Sequence, residues 1–578
     1  MQEENNGEHV WYIIREWKQL RLLSLYLHTK VGLCEEIESV IRKFWWGQRG
    51  DRRKIHWVSW GALCKPKSEG GMGFKNSALF NDALLAKQAW RLLHNKDSLF
   101  YQIFKSKFFP HGSIMDAPVC SQGSYAWKSL LKGREVLRKG LRWRIGTGDL
   151  VNLWSDPWLP STIQPLIQSP VAHDFANAKV CSIINPSYNS WDVALLNRLF
   201  LPHEALLIQS IPLSLSPIED KLVWPLNPSG IYSVKSSYKL LSHEVGDLAI
   251  RAHVVDPDVW KVVWGLKVQN KIRNFLWRAI RNSIPVKSNL MQRKVLTIDS
   301  CDHCLAEPEG VLHALWNCPL LDPVWNSDPI WSFRSSSQFL SFANLVQYLI
   351  KENLNLELFA QVSWTIWFRR NQLRTSSKPF PIEHVIPDAL AALSAFICAI
   401  PPKPPDCVSQ PPQFVKWCPP EPNLLKVNFD GAVFREENSA DVGVIIRDAD
   451  GQIIASMVEK VPLPNSVAAL EAVATVKALY FAVELGISSI VLEGDSEIVI
   501  KALVSEDTSF AVHGHLVEEA KLLSASFIFC SFSHVKRQGN SAAHHLARHA
   551  RHVSSQLVWM EDVPPQLLAV TLADIASI

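Results

Sequence analysis

The run Leu425-Lys426-Val427-Asn428-Phe429-Asp430-Gly431-Ala432-Val433-Phe434 decides the fold. It reads as a strand with Asp430 near its centre. Strands at 441–448 and 451–461 follow, joined by the Asp450-Gly451 turn. Residues 465–485 form an amphipathic helix pattern that carries Glu471 within Ala469-Leu470-Glu471-Ala472. A strand at 489–493 ends at Gly494-Asp495-Ser496, where a second helix should begin. A strand at 526–534 and a helix at 540–550 complete the series. The order β-β-β-α-β-α-β-α is that of an α/β sheet with three antiparallel leading strands.

Asp430, Glu471 and Asp495 are the chemistry candidates of this segment. Two sit on strands or strand ends, and the third on a helix that should pack against them. Taken singly, each carboxylate reads as a surface residue or a helix cap. As an ordered set they point to a shared site. Converging carboxylates repel unless cations neutralise them, and hard oxygen ligands suit Mg²⁺. Two such ions about 3.5–4 Å apart can activate water and stabilise a leaving oxygen in phosphodiester cleavage.

Outward from this module, the chain of 578 residues is 47% hydrophobic and 20% charged, which excludes wholesale disorder and fibrous classes. The charge is uneven. Residues 422–578 hold 11 basic and 19 acidic side chains, a net of −8, against +12 for the remainder. Of 23 Trp, 21 lie between Trp11 and Trp367, and only Trp559 lies beyond Trp417. A basic, Trp-rich body thus precedes an acidic module, an asymmetry that suggests a nucleic-acid partner.

Met1–Gly7 is polar and acidic, unlike an export signal. The longest apolar stretch, Ala389–Ile400, is shorter than the roughly 18–20 residues that span a bilayer. The 11 scattered Cys argue against a disulfide framework and for a reducing compartment. An intracellular protein without membrane segments is expected. The Pro-rich stretch Pro401-Pro402-Lys403-Pro404-Pro405, with Pro411-Pro412 and Pro419-Pro420, reads as a semi-rigid spacer. Residues 335–400 upstream read as mostly helical, and Asn81–Leu93 as an amphipathic helix. Gly70-Gly71-Met72-Gly73 reads as a structural turn, because it lacks the Gly-Lys-Ser/Thr ending of a phosphate loop.

Three cysteines break the scatter. Cys301, Cys304, His313 and Cys318 form a C-x2-C-x8-H-x4-C pattern. Two thiolates on one turn, with a His and a Cys five residues apart, supply the four N/S ligands of a closed structural Zn²⁺ site. His303, inside the turn, is discounted. Upstream, Lys267, Lys271, Arg273 and Arg278 interleave with Phe275 and Trp277. Basic heads can neutralise phosphate and aromatic faces can stack on bases. Equally, Ile272, Phe275, Leu276 and Ala279 follow the spacing of a buried helix face.

Together, Gly230-Ile231-Tyr232-Ser233-Val234-Lys235, the Phe275-Leu276-Trp277-Arg278 helix and the Cys/His cluster resemble the zinc-binding domain that follows reverse transcriptase in plant LINE-type non-LTR retrotransposon polyproteins. Lys43-Phe44-Trp45-Trp46-Gly47, Gly70-Gly71-Met72-Gly73-Phe74, Trp143-Arg144-Ile145-Gly146-Thr147-Gly148 and Asp156-Pro157-Trp158-Leu159-Pro160 resemble the region between polymerase and zinc domain. The C-terminal module resembles type 1 ribonuclease H, through Val427-Asn428-Phe429-Asp430-Gly431, Leu470-Glu471-Ala472, Glu493-Gly494-Asp495-Ser496 and the stretch from His534 to Ala547.

The resemblance implies a multidomain α+β and α/β protein. It would have a mainly helical body at 1–210, a zinc-binding domain at 215–325, a helical and Pro-rich linker at 326–421, a ribonuclease H-like domain with a mixed five-stranded sheet at 422–552 and a tail at 553–578. It further implies Mg²⁺-dependent, two-metal hydrolysis of the RNA strand of an RNA–DNA hybrid by Asp430, Glu471 and Asp495. His544 stands at the family's fourth position, usually Asp, and one negative charge is lost there. Only Arg537-Gln538-Gly539 separates Lys536 from Asn540, so the His-bearing loop of many bacterial members is missing. Asn428, Ser496, Lys536 and Arg537 are the implied substrate contacts. Nucleic acid is the expected partner, RNA–DNA hybrid or retroelement RNA. The sequence contains no Asp-Asp dipeptide of the kind a polymerase palm uses, so no polymerase activity is expected. The alternative is a catalytically inactive nucleic-acid-binding relic that retains the fold.

Overall fold

The computed structural model describes residues 31–48, 54–119, 123–161, 165–246, 256–375, 378–400, 416–552 and 556–575. The expected spacer at Pro401–Pro405 and Pro411-Pro412, the polar start at Met1–Gly7 and Trp11 lie outside them. Two compact units emerge, both discontinuous in sequence. One joins Asp82–Leu241 to the C-terminal module. The other joins Thr29–Asn81 to Ser242–Gln410.

The C-terminal module is built on β1 (Leu425–Phe434), β2 (Ser439–Arg447), β3 (Ile453–Pro462), β4 (Ser489–Gly494), β5 (Phe529–His534) and β6 (Leu557–Met560). The strand order is β6-β3-β2-β1-β4-β5. β1, β2, β3 and β6 pair antiparallel, whereas β1–β4 and β4–β5 pair parallel. The mixed sheet and its antiparallel leading strands follow the sequence. It has six strands rather than five, because Leu557–Met560, expected as tail, pairs with β3. Strand β2 is buried along its whole length, as a central strand must be.

Helix α1 (Val467–Glu484) covers one face, against Val427, Phe429, Val442 and Val444. Helices α2 (Glu497–Val504) and α3 (Gly514–Ser524) lie between β4 and β5. Only one helix was expected there. The other face, with Ile445 and Val458, is covered by α4 (Ser541–His549). A Cβ on Gly443 would stand 2.3 Å from the backbone N of Ala547. Glycine there lets α4 lie directly on β2, which sets the height of the helix above β1.

The body segment packs against this module. Buried Arg144 donates to the Ser509 carbonyl (2.6 Å) and pairs with Glu518 (3.4 Å). Glu519 of α3, fully buried, accepts the backbone N–H groups of Leu215 (2.9 Å) and Ser216 (3.2 Å). Asp220 holds the Gly146-Thr147-Gly148 loop by accepting from the N–H groups of Gly146, Gly148 and Leu150.

In the second unit one apolar core runs from Val58 and Leu63 through the helix Asn270–Ile280 to Leu393. Trp277, Trp316, Trp325 and Trp331 are fully buried, and each contributes on the order of 2–3 kcal/mol of burial. The helices Phe342–Lys351, Leu356–Arg374 and Val385–Ala399 share this core, so the helical segment expected as linker is part of the packed unit. The span Ile382–Ala399 is long and apolar enough to cross a membrane by length and composition, which the shorter stretch read from sequence was not. Val385, Ala389 and Leu393 of that helix nonetheless sit in the core. Gly70 (φ +76°) turns the Gly-rich loop so that its carbonyl accepts from the Trp277 indole and from Arg281, both at 2.9 Å; a structural turn, as its sequence suggests.

Candidate metal centres

Asp430, Glu471 and Asp495 converge, with one carboxylate oxygen from each lying within 4.8 Å of the others. The topology accounts for this. Asn428 stands opposite Glu493 in the parallel β1–β4 pair, so Asp430 and Asp495 lie two steps further along neighbouring strands. The start of α1 brings Glu471 onto the same spot. Asp430 and Glu471 are buried, and Asp495 is half-buried. Burial, together with the charges of Asp430 and Asp495, pushes Glu471 up to about 9. Burial and Asp430 also raise Asp495. Glu471 Oε2 is buried without a hydrogen-bond partner. An orphaned carboxylate oxygen among like charges is what a hard divalent cation would satisfy.

His544 reaches this cluster in a different way from a ligand. Its Nδ1 lies 2.6 Å from Asp430 Oδ2, and its Nε2 lies 2.8 Å from Nη2 of Arg537. A guanidinium only donates, so in the neutral ring Nε2 accepts and the proton sits on Nδ1, donated to Asp430. Both ring nitrogens are then engaged.

The implied substrate contacts divide. Lys536 and Arg537 are exposed, and Ser496 is partly exposed beside Asp495. Asn428 is fully buried. Its amide donates to Glu493 (3.0 Å) and Asn540 (3.2 Å), and its oxygen accepts from Trp417 (3.0 Å) and Arg447 (3.1 Å). The expectation that Asn428 touches substrate is therefore corrected: its hydrogen-bonding capacity is spent inside the protein. Arg447 in turn stacks over Trp417 (3.8 Å to the ring centroid) and pairs with Asp574 (2.8 Å). This network ties both ends of the module to the strand that carries Asp430. Trp417 and Asp574 carried no sequence signal, since neither belongs to a local pattern.

The second cluster unites Cys301, Cys304, His313 and Cys318, again with ligand atoms within 4.8 Å of one another. His313 Nε2 faces Cys304 Sγ (3.4 Å), while Nδ1 faces Glu307 Oε2 (3.0 Å). A carboxylate on Nδ1 leaves the Nε2 lone pair free for a metal. The backbone N–H of His303 donates to Cys301 Sγ (3.4 Å), as in a thiolate-gripping turn. The soft donor set suits zinc. Glu307, three residues after Cys304, carries no ligand-spacing signal of its own in the sequence. Phe275 and Trp277, weighed above as stacking platforms, are buried, so core packing claims them.

Comparison with known proteins matches the two segments in which these clusters lie. Residues 428–550 match the model of the reverse transcriptase-like family, and residues 232–325 that of the zinc-binding domain in reverse transcriptase. An Arabidopsis thaliana ribonuclease H protein, At1g65750, itself a provisional assignment, is 25% identical over 94% of this chain and 88% of its own length. The uncharacterized mitochondrial protein AtMg00310 of the same plant is 43% identical over 22% of this chain and 83% of its own. Among solved structures, ribonuclease H1 of Halobacterium salinarum is 31% identical over 22% of this chain and 96% of its own, with a TM-score of 0.21. The ribonuclease H domain of Mycobacterium tuberculosis rv2228c is 21% identical over 22% and 91%, with a TM-score of 0.20. Together these matches support a LINE-type retrotransposon polyprotein fragment that carries the zinc-binding domain and a ribonuclease H-like domain.

Proposed function

We propose that the C-terminal module hydrolyses the RNA strand of RNA–DNA hybrids with the help of Mg²⁺. The observation that carries this reading is the convergence of Asp430 within β1, Glu471 on α1 and Asp495 just past the end of β4. These three side chains would hold the cation. When bound, it supplies an activated water and charge stabilisation at the leaving 3′ oxygen. The chain's own residues do the rest. His544 holds one oxygen of Asp430 and so fixes the direction of the other. Arg537, which reaches His544, and its exposed neighbour Lys536 offer positive charge to the backbone phosphates, and Ser496 a hydroxyl. Such contacts read the shape and 2′-hydroxyls of a hybrid rather than its bases.

Zn²⁺ in the Cys301, Cys304, His313 and Cys318 cluster is structural in this reading, because the four protein donors leave no position for water. Purified full-length protein should bind about one equivalent of zinc. No zinc above background removes this part of the proposal.

Cleavage of a labelled hybrid by the full-length protein in Mg²⁺ tests the enzyme reading. Activity lost in Asp430→Asn supports it. No cleavage by wild type, or equal cleavage by Asp430→Asn, ends it. One observation favours the second reading, a non-turning nucleic-acid-binding relic: His544 already occupies one oxygen of Asp430, where the family's usual carboxylate would add a ligand. If His544→Asp gains Mg²⁺-dependent cleavage that wild type lacks, this second reading stands.

A further inference from the structure

The zinc-type cluster is covered by a helix that neither the spacing of its ligands nor the matched zinc-binding domain includes. Within Leu356–Arg374, the residues Phe359, Val362 and Ile366 are buried in the apolar core. Arg370 follows Ile366 by one helical turn, so it lies on the same buried face. It is 2% exposed. A guanidinium in an apolar core is costly unless it is paired. Here its Nη1 and Nη2 lie 4.0 and 3.9 Å from Cys301 Sγ. It also pairs with Glu309, which is itself fully buried.

One turn further, Arg374 donates to Glu309 (2.7 Å), to the Pro285 carbonyl (3.1 Å) and to Asp302 (3.4 Å). Glu309 also accepts the backbone N–H of Lys287 (3.1 Å). The cluster therefore rests against a buried ionic layer rather than against hydrocarbon. A divalent ion with three thiolates and one neutral imidazole leaves one negative charge uncompensated. Arg370 supplies the positive charge that cancels it, while Glu309 and Arg374 cancel each other.

We infer that Arg370 is a positioning residue of the metal centre, so that the site is completed by a side chain of the helix Leu356–Arg374. This rests on the zinc reading above. Arg370 donates toward Cys301, holds the sulfur's lone pairs in direction and balances the site's charge. Outer partners of this kind typically alter metal affinity about 10–100-fold.

The test uses the full-length protein and competition with a chromophoric zinc chelator, together with the thiolate-to-metal absorption band after Co²⁺ substitution. Arg370→Met keeps the bulk and removes the donor. Arg370→Lys keeps the charge and loses the fork. Val362→Ala opens a cavity on the same helix without touching the cluster. Arg370→Met should weaken zinc binding about 10–100-fold and shift the Co²⁺ band, with Arg370→Lys recovering part of the loss and Val362→Ala close to wild type. If wild type binds no metal, the zinc reading falls and this inference with it. If wild type binds one zinc and Arg370→Met binds it as tightly with an unchanged band, the inference alone is overturned. An equal loss in Val362→Ala would overturn it too, since helix packing would then explain the effect.

Discussion

Asp441 lies on β2, fully buried, with both carboxylate oxygens lacking a hydrogen-bond partner. Burial raises it to about 6, with Lys460 opposing the shift and Glu437 adding to it. The unfolded value is near 3.8. Between these two values the folded state holds the proton and the unfolded state has released it. Stability therefore falls as pH rises through this window, and stays lost above it. A gap of about two units corresponds to about 3 kcal/mol, of which about 2 kcal/mol is expected between about pH 4.5 and about pH 7.5. Asp441→Asn removes the charge and keeps the shape. Its benefit over wild type should be about 2 kcal/mol larger at the higher pH. Amide hydrogen exchange in peptides spanning Ser439–Arg447 reports this locally, wild type against variant at each pH. An equal difference at both pH values, or none at the higher, would refute the claim that a buried, unpartnered charge strains this strand.

Three other perturbations follow from the same structure. Asp574→Ala leaves Arg447 buried against Trp417 without its carboxylate, and should cost on the order of 3–5 kcal/mol, read as faster exchange along β2. Glu471→Gln relieves the crowding with Asp430 and Asp495. In chelator its melting temperature should exceed wild type by a few degrees, while the rise that Mg²⁺ gives wild type should disappear; a Mg²⁺ response equal to wild type would count against the cluster as a cation site. Glu519→Leu strands the N–H groups of Leu215 and Ser216, at about 1–3 kcal/mol, and limited proteolysis should then cut near Leu215 sooner than in wild type.

Much of the module is legible in the sequence. Strand lengths, the turn at Asp450-Gly451 and the helix that carries Glu471 are written in local patterns of apolar and turn-forming residues. The three carboxylates and the Cys/His spacing are legible for the same reason, since each lies within or at the end of an element whose neighbours are near in sequence. Tertiary structure decided what lies between distant segments. It buried Asn428 in a network with Trp417, Arg447 and Asn540, turned His544 toward Asp430 and Arg537, and added Leu557–Met560 to the sheet. It also set Arg370 against Cys301, 69 positions away in the chain. A residue's type and its neighbours announce whether it can form a strand or grip a metal. Which partner neutralises a buried charge depends on how the chain closes on itself, because the cost of leaving that charge unpaired is felt only after water has been excluded.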